Sequence, residues 1–138
     1  MVAGKYSRYD EIERVIFTDG SQLSPATVEQ IDEMFDELEQ IARSTPEPVY
    51  LIVCWHGAGF ADSSAGPHYG NRAARLLKLV RGVVRYAVTD PIARATLRTE
   101  MVRHLDEGTR SNIVNTKEEA LALVRQLEAE ERRRPRST

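Results

Sequence analysis

Four side chains of the types found in a catalytic triad lie between His56 and His68: the two histidines, Asp62 and Ser63. A serine nucleophile needs a histidine base that an acidic group orients, and triads hold these groups on separate rigid elements so that each is positioned independently. Here all four come from one turn. We therefore expect no catalytic residues and a protein that is not an enzyme.

The same turn also has residue types that bind zinc, namely His56 and His68 together with Asp62. Zinc needs further nitrogen or sulfur ligands at suitable spacing. The sequence offers no third such ligand, because Cys54 is expected to point into a sheet. We expect neither a bound metal ion nor a cofactor.

A pair of serines, Ser63 and Ser64, follows Asp62 where a helix is predicted to begin. The first turn of a helix has unpaired amides and the positive end of the helix dipole, so polar side chains cap it there. A phosphate on serine adds a charge of about −1.5 to −2, which this position favours, and free anions bind there as well. Three interpretations stay open: a structural cap, a regulatory phosphorylation site at Ser63, and an anion-binding site.

The turn is expected to connect a buried strand to a helix. Val49–Trp55 is a run of seven residues without a charge. Such a run is too short for a membrane span and is typical of a strand buried on both faces of a parallel sheet. The segment GPHYGNRAARLLKLV after the turn has helical spacing. The turn is therefore predicted at the carboxyl end of a central strand, where open α/β sheets place their sites.

Strands and helices alternate along the rest of the chain. The other predicted strands are a short one around Tyr6 and Tyr9, then Ile12–Thr18, Val83–Val88 and Ser111–Asn115. The predicted helices run from Ser24 and Pro25 to Arg43, from the turn to Arg81-Gly82, from Asp90-Pro91 to Glu107-Gly108, and from the capping box Thr116–Glu119 to Leu127. This order predicts an α/β domain with a mostly parallel four- or five-stranded sheet and four helices.

Length and composition indicate one globular domain. The chain has 138 residues, of which 41% are hydrophobic and 29% charged. We place the domain at residues 12–127, after an N-terminal extension or short strand at 1–11 and before a frayed basic tail at 128–138. No run approaches the roughly 18 apolar residues of a membrane helix, and the N-terminus lacks the order of a signal peptide. We expect no membrane span and a cytoplasmic location.

Charge is distributed unevenly along the chain. Residues 1–70 carry 4 basic and 12 acidic side chains, and residues 71–138 carry 15 and 9, so the net charges are −8 and +6. If these charges segregate in space, they favour a weak, salt-sensitive homo-oligomer. The basic residues lack interleaved aromatic residues and the pI is about 5.9, so we expect no nucleic-acid partner. The acidic residues of the first predicted helix are interpreted as a solvated face: Glu29, Asp32, Glu33, Asp36, Glu37 and Glu39.

The residues after the central strand, His56-Gly57-Ala58-Gly59-Phe60, resemble the oxyanion-hole loop of esterases like hormone-sensitive lipase, which read His-Gly-Gly-Gly-Phe. Such an esterase also needs a Gly-x-Ser-x-Gly nucleophile elbow on a later turn. The sequence contains no such motif. A degenerate esterase-like hydrolase is therefore only a weak alternative.

A second resemblance covers roughly residues 12 to 127. It rests on the stretch Gly59–Gly66, GFADSSAG, followed by NRAARLL, a strand that leads to an Asp-Pro-capped helix, a short strand and Lys-Glu-Glu-Ala-Leu. These features resemble STAS domains, which include the bacterial anti-sigma-factor antagonists, and especially their divergent SpoIIAA-like relatives. The resemblance implies a STAS-type fold, and it implies that a partner kinase phosphorylates Ser63.

The sequence as a whole predicts a non-enzymatic STAS-like regulatory or protein-binding domain. Its partner is expected to be a protein or a small ligand that contacts the turn at Gly57–Gly66. The candidate binding residues are His56, Gly57, Phe60, Asp62, Ser63, Ser64 and His68. The alternative is a carrier or sensor of an anionic or a small apolar, lipid-like ligand, whose candidate apolar contacts are Trp55, Phe60 and Tyr69.

Overall fold

The computed structural model of the chain describes residues 4–23, 26–104 and 113–133. The strands are β1 (Ser7–Asp10), β2 (Val15–Asp19), β3 (Tyr50–Cys54), β4 (Gly82–Tyr86) and β5 (Ile113–Val114). The helices are α1 (Val28–Ser44), α2 (Ala65–Leu76), α3 (Pro91–His104) and α4 (Lys117–Arg133), and a short 3-10 turn covers Gly20–Gln22. The described residues thus form an α/β fold.

The five strands form one sheet in the order β1-β2-β3-β4-β5. The neighbours from β2 to β5 are parallel, whereas β1 is antiparallel to β2. The sheet is therefore mixed, and the prediction of a mostly parallel sheet is corrected. The reason is a tight turn at residues 11–14, in which Asp10 Oδ1 accepts the amides of Ile12 and Glu13 at 2.9 Å. Such a short connection joins only antiparallel strands.

This hairpin also shifts the first predicted strand. Ile12 lies in the turn, where it is 92% exposed, and the strand β2 begins at Val15. The earlier short strand is confirmed as β1, which contains Tyr9 and begins just after Tyr6.

Helix α1 begins later than the sequence pattern predicts. Its cap is Thr27, whose side chain accepts the amide of Gln30, while the side chain of Gln30 bonds back to the amide of Thr27. The predicted cap, Ser24 with Pro25, lies outside the described residues. The buried face of α1 carries Ile31, Met34, Phe35, Leu38 and Ile41, as its helical spacing predicts.

Helix α2 ends at Leu76, which corrects the predicted end at Arg81-Gly82. The residues between form tight turns, and the Arg81 amide then bonds to the Val49 carbonyl as sheet pairing begins. Gly82 is the first residue of β4, and a Cβ there would meet the Tyr50 ring at 2.8 Å. The glycine therefore permits close packing on β3 and does not mark a helix end.

The C-terminal elements also differ from the prediction in their ends. One half of the predicted capping box is confirmed, because Thr116 Oγ1 accepts the amide of Glu119, while the Glu119 carboxylate accepts the Thr116 hydroxyl. Helix α4 continues past Leu127 to Arg133, so the predicted fraying from residue 128 is wrong as far as 133. Glu128 and Glu131 in this last part form ion pairs with Arg81. Residues 134–138, and Ser111 and Asn112 of the last predicted strand, lie outside the described residues.

The sheet has a different helical cover on each face. On one face, Ile16, Leu51, Val53 and Val83 pack with α1, α2 and α3 in the larger core. On the other face, Val15, Tyr50, Ile52 and Val84 pack against Ala120 and Val124 of α4. No helix in the described ranges is long and apolar enough to cross a membrane.

Candidate functional site

The turn between β3 and α2 is held in place by backbone pairing with the segment before α1. The Gly59 amide bonds to the Leu23 carbonyl, Ala26 bonds back to the Gly59 carbonyl at 2.7 Å, and Ala61 bonds to the Ala26 carbonyl. Ala26 and Phe60 thereby form a parallel bridge. The turn follows the central strand, as predicted, and its path is fixed by three backbone hydrogen bonds.

Asp62 is the residue that caps helix α2. Its Oδ1 accepts the amides of Ser64 at 3.0 Å and Ala65 at 3.1 Å, and also the Ser64 hydroxyl at 2.7 Å. The bond from the Ser64 hydroxyl, followed by those from the two amides, holds the pKa of the Asp62 carboxyl below its usual value. One carboxylate therefore satisfies the first amides of the helix, and the side chain of Ser64 does not cap it.

Ser63 lies beside this cap but takes no part in it. The residue is exposed. Within the described parts of the chain, the Ser63 hydroxyl has no hydrogen-bond partner. The two serines therefore differ, because Ser64 is bound to Asp62 while Ser63 presents a free hydroxyl to solvent.

The two histidines of the turn lie in different settings. His56 is exposed after β3. His68, on α2, contacts α1 instead, with its Nε2 at 2.7 Å from Asp32 Oδ1. Among the described residues, no group of three or more histidine, cysteine or acidic side chains is placed to hold a metal ion.

The three aromatic residues predicted to contact an apolar ligand pack on one another. The ring centroids of Trp55 and Tyr69 lie 5.3 Å apart, and those of Trp55 and Phe60 lie 5.5 Å apart, in edge-to-face geometry. Phe35 of α1 extends the cluster, and Trp55 and Tyr69 are both buried. The buried Trp55 Nε1 has no hydrogen-bond partner among the described residues. The predicted ligand stays a prediction, and the rings themselves form part of the core.

The amides of the esterase-like loop donate within the protein. The Ala58 amide bonds to the Trp55 carbonyl at 3.0 Å, and the Gly59 amide bonds to the Leu23 carbonyl at 3.1 Å. The Gly57 amide lies 3.4 Å from Thr89 Oγ1. An oxyanion hole needs amides that point at the developing charge of a substrate. These three already have acceptors in the chain.

Helix α3 brings a hydrophobic side chain to the same end of the sheet as the turn, at the carboxyl ends of the parallel strands. Asp90, which precedes α3, lies so close to Gly59 that a Cβ there would meet its Oδ2 at 2.9 Å. Gly66 on α2 packs against Thr96 in the same manner. Ile92 lies one turn before Thr96 and is 74% exposed. We call this exposed group the turn surface: His56, Gly57, Asp62, Ser63, Ser64 and Ile92.

An ionic network between α1 and α2 was missed in the sequence analysis. Arg72, only 8% exposed, donates to Asp32 at 2.7 Å, to Asp36 at 2.8 Å and to Glu39 at 3.1 Å. Arg75 donates to both oxygens of Glu39 at 3.0 Å. The interpretation of the α1 acidic face as solvated is therefore wrong for Glu39, whose side chain is 6% exposed, whereas Asp32 and Asp36 pair with Arg72 and still keep exposed surface. In the sequence, acidic residues at positions 32, 36 and 39 have the same spacing as histidine and arginine at positions 68, 72 and 75. This match could have indicated that the two helices pair through these side chains.

Comparisons of the chain with protein-family models, with curated proteins and with solved structures find no significant match. The resemblance to STAS domains therefore stays a prediction from the sequence.

Proposed function

We propose that this chain is a non-enzymatic STAS-like regulatory domain that binds a protein partner through the turn surface and is switched by phosphorylation of Ser63. The observation that carries the proposal is the division of roles between neighbouring residues. Asp62 caps α2 and holds Ser64, while the Ser63 hydroxyl stays exposed and unbound within the described chain. A kinase can reach such a hydroxyl without breaking a hydrogen bond of the fold.

The fixed path of the turn supports a role in binding. The backbone from Gly59 to Ala61 is paired with Ala26 and Leu23, so the residues that follow are presented from a rigid base. A preorganised surface loses less conformational entropy when a partner docks. The exposed Ile92 beside it adds an apolar anchor of the kind that contributes strongly to interfaces.

The internal bonding of the loop supports a non-enzymatic role. The amides of Gly57, Ala58 and Gly59 have acceptors in the chain, so they are not aimed at a substrate oxygen. His68 is bonded to Asp32 on α1, so it is engaged outside the serine turn. These contacts favour a binding surface over an active site.

A phosphate on Ser63 would alter this surface through charge. It would add about −1.5 to −2 charges next to the Asp62 carboxylate, which already holds the amides of Ser64 and Ala65. The two anions repel, and they compete for the same donors. A partner that docks on the unmodified turn would also have to desolvate the added charge, which commonly costs about 2 kcal/mol or more.

The test is to isolate the protein from its source cell and to locate phosphate on the peptide that spans Asp62–Ser64 by mass spectrometry. We expect phosphate on Ser63, its loss in Ser63→Ala and its retention in the control Ser64→Ala. The partner recovered with the wild type should bind Ser63→Asp at least about 30-fold more weakly. Phosphate on neither serine, or equal binding by Ser63→Asp, would contradict the proposal.

A further inference from the structure

Strand β1 lies at one end of the sheet, and its outer side is unpaired by any strand among the described residues. An edge strand presents backbone amides and carbonyls that can pair with a strand of another chain. Proteins usually limit such pairing with short strands and charged side chains. Strand β1 has only four residues, of which Arg8 and Asp10 are charged. The arrangement of these two charges therefore decides which strand can pair with this edge.

The hydrogen bonds around β1 show which backbone groups face outward. In an antiparallel pair, each residue directs both of its backbone groups to the same side, and successive residues alternate. The Asp19 amide bonds to the Tyr6 carbonyl, and the Arg14 amide bonds to the Asp10 carbonyl, both at 2.8 Å. The backbone groups of residues 6, 8 and 10 therefore point toward β2, and those of Ser7 and Tyr9 point toward the outer edge. The Ser7 carbonyl already accepts the Gly4 amide, which leaves Tyr9 as the open pairing position among the residues that the structure describes.

The charges on either side of Tyr9 are self-complementary in one register. Arg8 and Asp10 lie on the same face of β1, with Nη1 and Oδ2 3.3 Å apart. If two copies pair antiparallel about Tyr9, each Arg8 lies opposite Asp10 of the other copy. A shift by two residues in either direction places Arg8 opposite Arg8 or Asp10 opposite Asp10. Opposite charges across a strand pair attract and like charges repel, so only the register centred on Tyr9 is favoured.

We propose that the β1 edge binds the β1 edge of a second copy of this chain, antiparallel and centred on Tyr9. The two Tyr9 residues exchange their backbone hydrogen bonds, and the sheet continues across both copies. Such short strands bury much less than the roughly 1,200 Å² of a stable interface, so the dimer is weak and depends on protein concentration. The exposed ion pairs make it weaken as salt rises.

Sedimentation equilibrium of the intact chain over a range of concentrations is the test. Arg8→Asp creates two carboxylate pairs across the interface, and Asp10→Arg creates two guanidinium pairs, so each variant should dimerise about tenfold more weakly than the wild type. An equimolar mixture of the two variants should restore dimerisation, because each aspartate at position 8 then meets an arginine at position 10. Arg43→Asp, with the same charge change on the exposed end of α1, should dimerise like the wild type.

Tyr9→Pro provides a second variant, because Asp10→Arg also removes the carboxylate that holds the hairpin turn. Proline at an outward-facing edge position removes an amide that makes no bond within the described sheet, and it also removes the Tyr9 ring, which packs against the larger core, so circular dichroism must show that the variant is folded. We expect a folded monomer by circular dichroism and sedimentation. A wild type that is monomeric at every concentration would overturn the proposal. So would equal weakening by Arg8→Asp and Arg43→Asp, or a mixture that fails to restore association while both variants are folded.

Discussion

At the residue scale, the candidate site depends on three adjacent side chains that have different roles. Asp62 caps α2, the Ser64 hydroxyl donates to Asp62, and the Ser63 hydroxyl is free within the described chain. The sequence was sufficient to place a polar helix start at these residues. It could not assign the cap, because aspartate and serine are both good caps and the choice depends on the backbone path fixed by Ala26 and Gly59.

Asp62→Ala tests the cap through its pH dependence. Bonds from the Ser64 hydroxyl and from two amides hold the pKa of Asp62 below its usual value. A carboxylate of this kind stabilises the fold above its unfolded-state pKa of about 3.9, and the contribution is lost as the pH falls through the lower folded-state pKa. We expect Asp62→Ala to lower the Tm at neutral pH and the difference from wild type to shrink in acid. Thermal melts of both proteins measure this.

The control for the cap experiment is Ser63→Ala, which should melt like the wild type at each pH, since the Ser63 hydroxyl bonds to nothing in the described chain. A Tm difference between Asp62→Ala and wild type that is the same at every pH would contradict the assignment of the carboxylate as the cap.

At the element scale, the helices follow the apolar spacing of the sequence, but their ends follow tertiary contacts. Helix α1 starts after Thr27 because Ala26 pairs with Phe60 as a bridge and is therefore extended. A single sequence cannot show this pairing. In the same way, Gly82 resembles a helix stop, but the close approach of the Tyr50 ring requires a glycine in the strand.

The packing of α1 on α2 depends on Arg72, whose guanidinium bonds to three carboxylates at the helix interface. Removal of one partner of a buried ion pair typically lowers the free energy of unfolding by about 3 to 5 kcal/mol. The loss should be smaller here, because Asp36 is largely exposed and water can solvate it when Arg72 is absent. We therefore expect Arg72→Ala to lower the free energy of unfolding by about 2 to 3 kcal/mol. Urea denaturation measures the change.

Arg75→Ala is the matched control for Arg72→Ala, because Arg75 shares the partner Glu39 but its side chain is 58% exposed. Exposed ion pairs contribute at most about 1 kcal/mol, so its loss should be smaller than that. Equal losses in the two variants would show that the buried position of Arg72 adds nothing to the stability of the helix pair.

At the scale of the whole molecule, topology was the least predictable feature. The hairpin turn Glu11–Arg14 contains no glycine, proline or asparagine to mark it, and Arg14 adopts a positive φ of 57° that few arginines adopt. The charge asymmetry was visible in the sequence, but its arrangement was not. Arg72 and Arg75 pair with acidic residues of α1, and Arg125 pairs with Glu13, so opposite charges of the two halves meet inside one molecule.

Among the described residues, two large hydrophobic side chains are strongly exposed, Ile12 and Ile92, and they lie at opposite ends of the parallel strands. They provide a test of where a partner docks. Ile92 lies on α3 between Asp90 and Thr96, which pack against Gly59 and Gly66 on either side of Ser63, whereas Ile12 lies in the hairpin at the amino end of β2. Apolar anchors at an interface commonly contribute about 2 kcal/mol or more, so Ile92→Asp should weaken binding of the co-purified partner about 30-fold or more in calorimetric titration. The fold should survive, because an acidic residue in the first turn of α3 interacts favourably with the helix dipole. Ile12→Asp makes the same chemical change away from the turn and should bind as the wild type does. If Ile12→Asp loses the partner and Ile92→Asp retains it, the binding surface lies at the hairpin and the turn surface has no part in it.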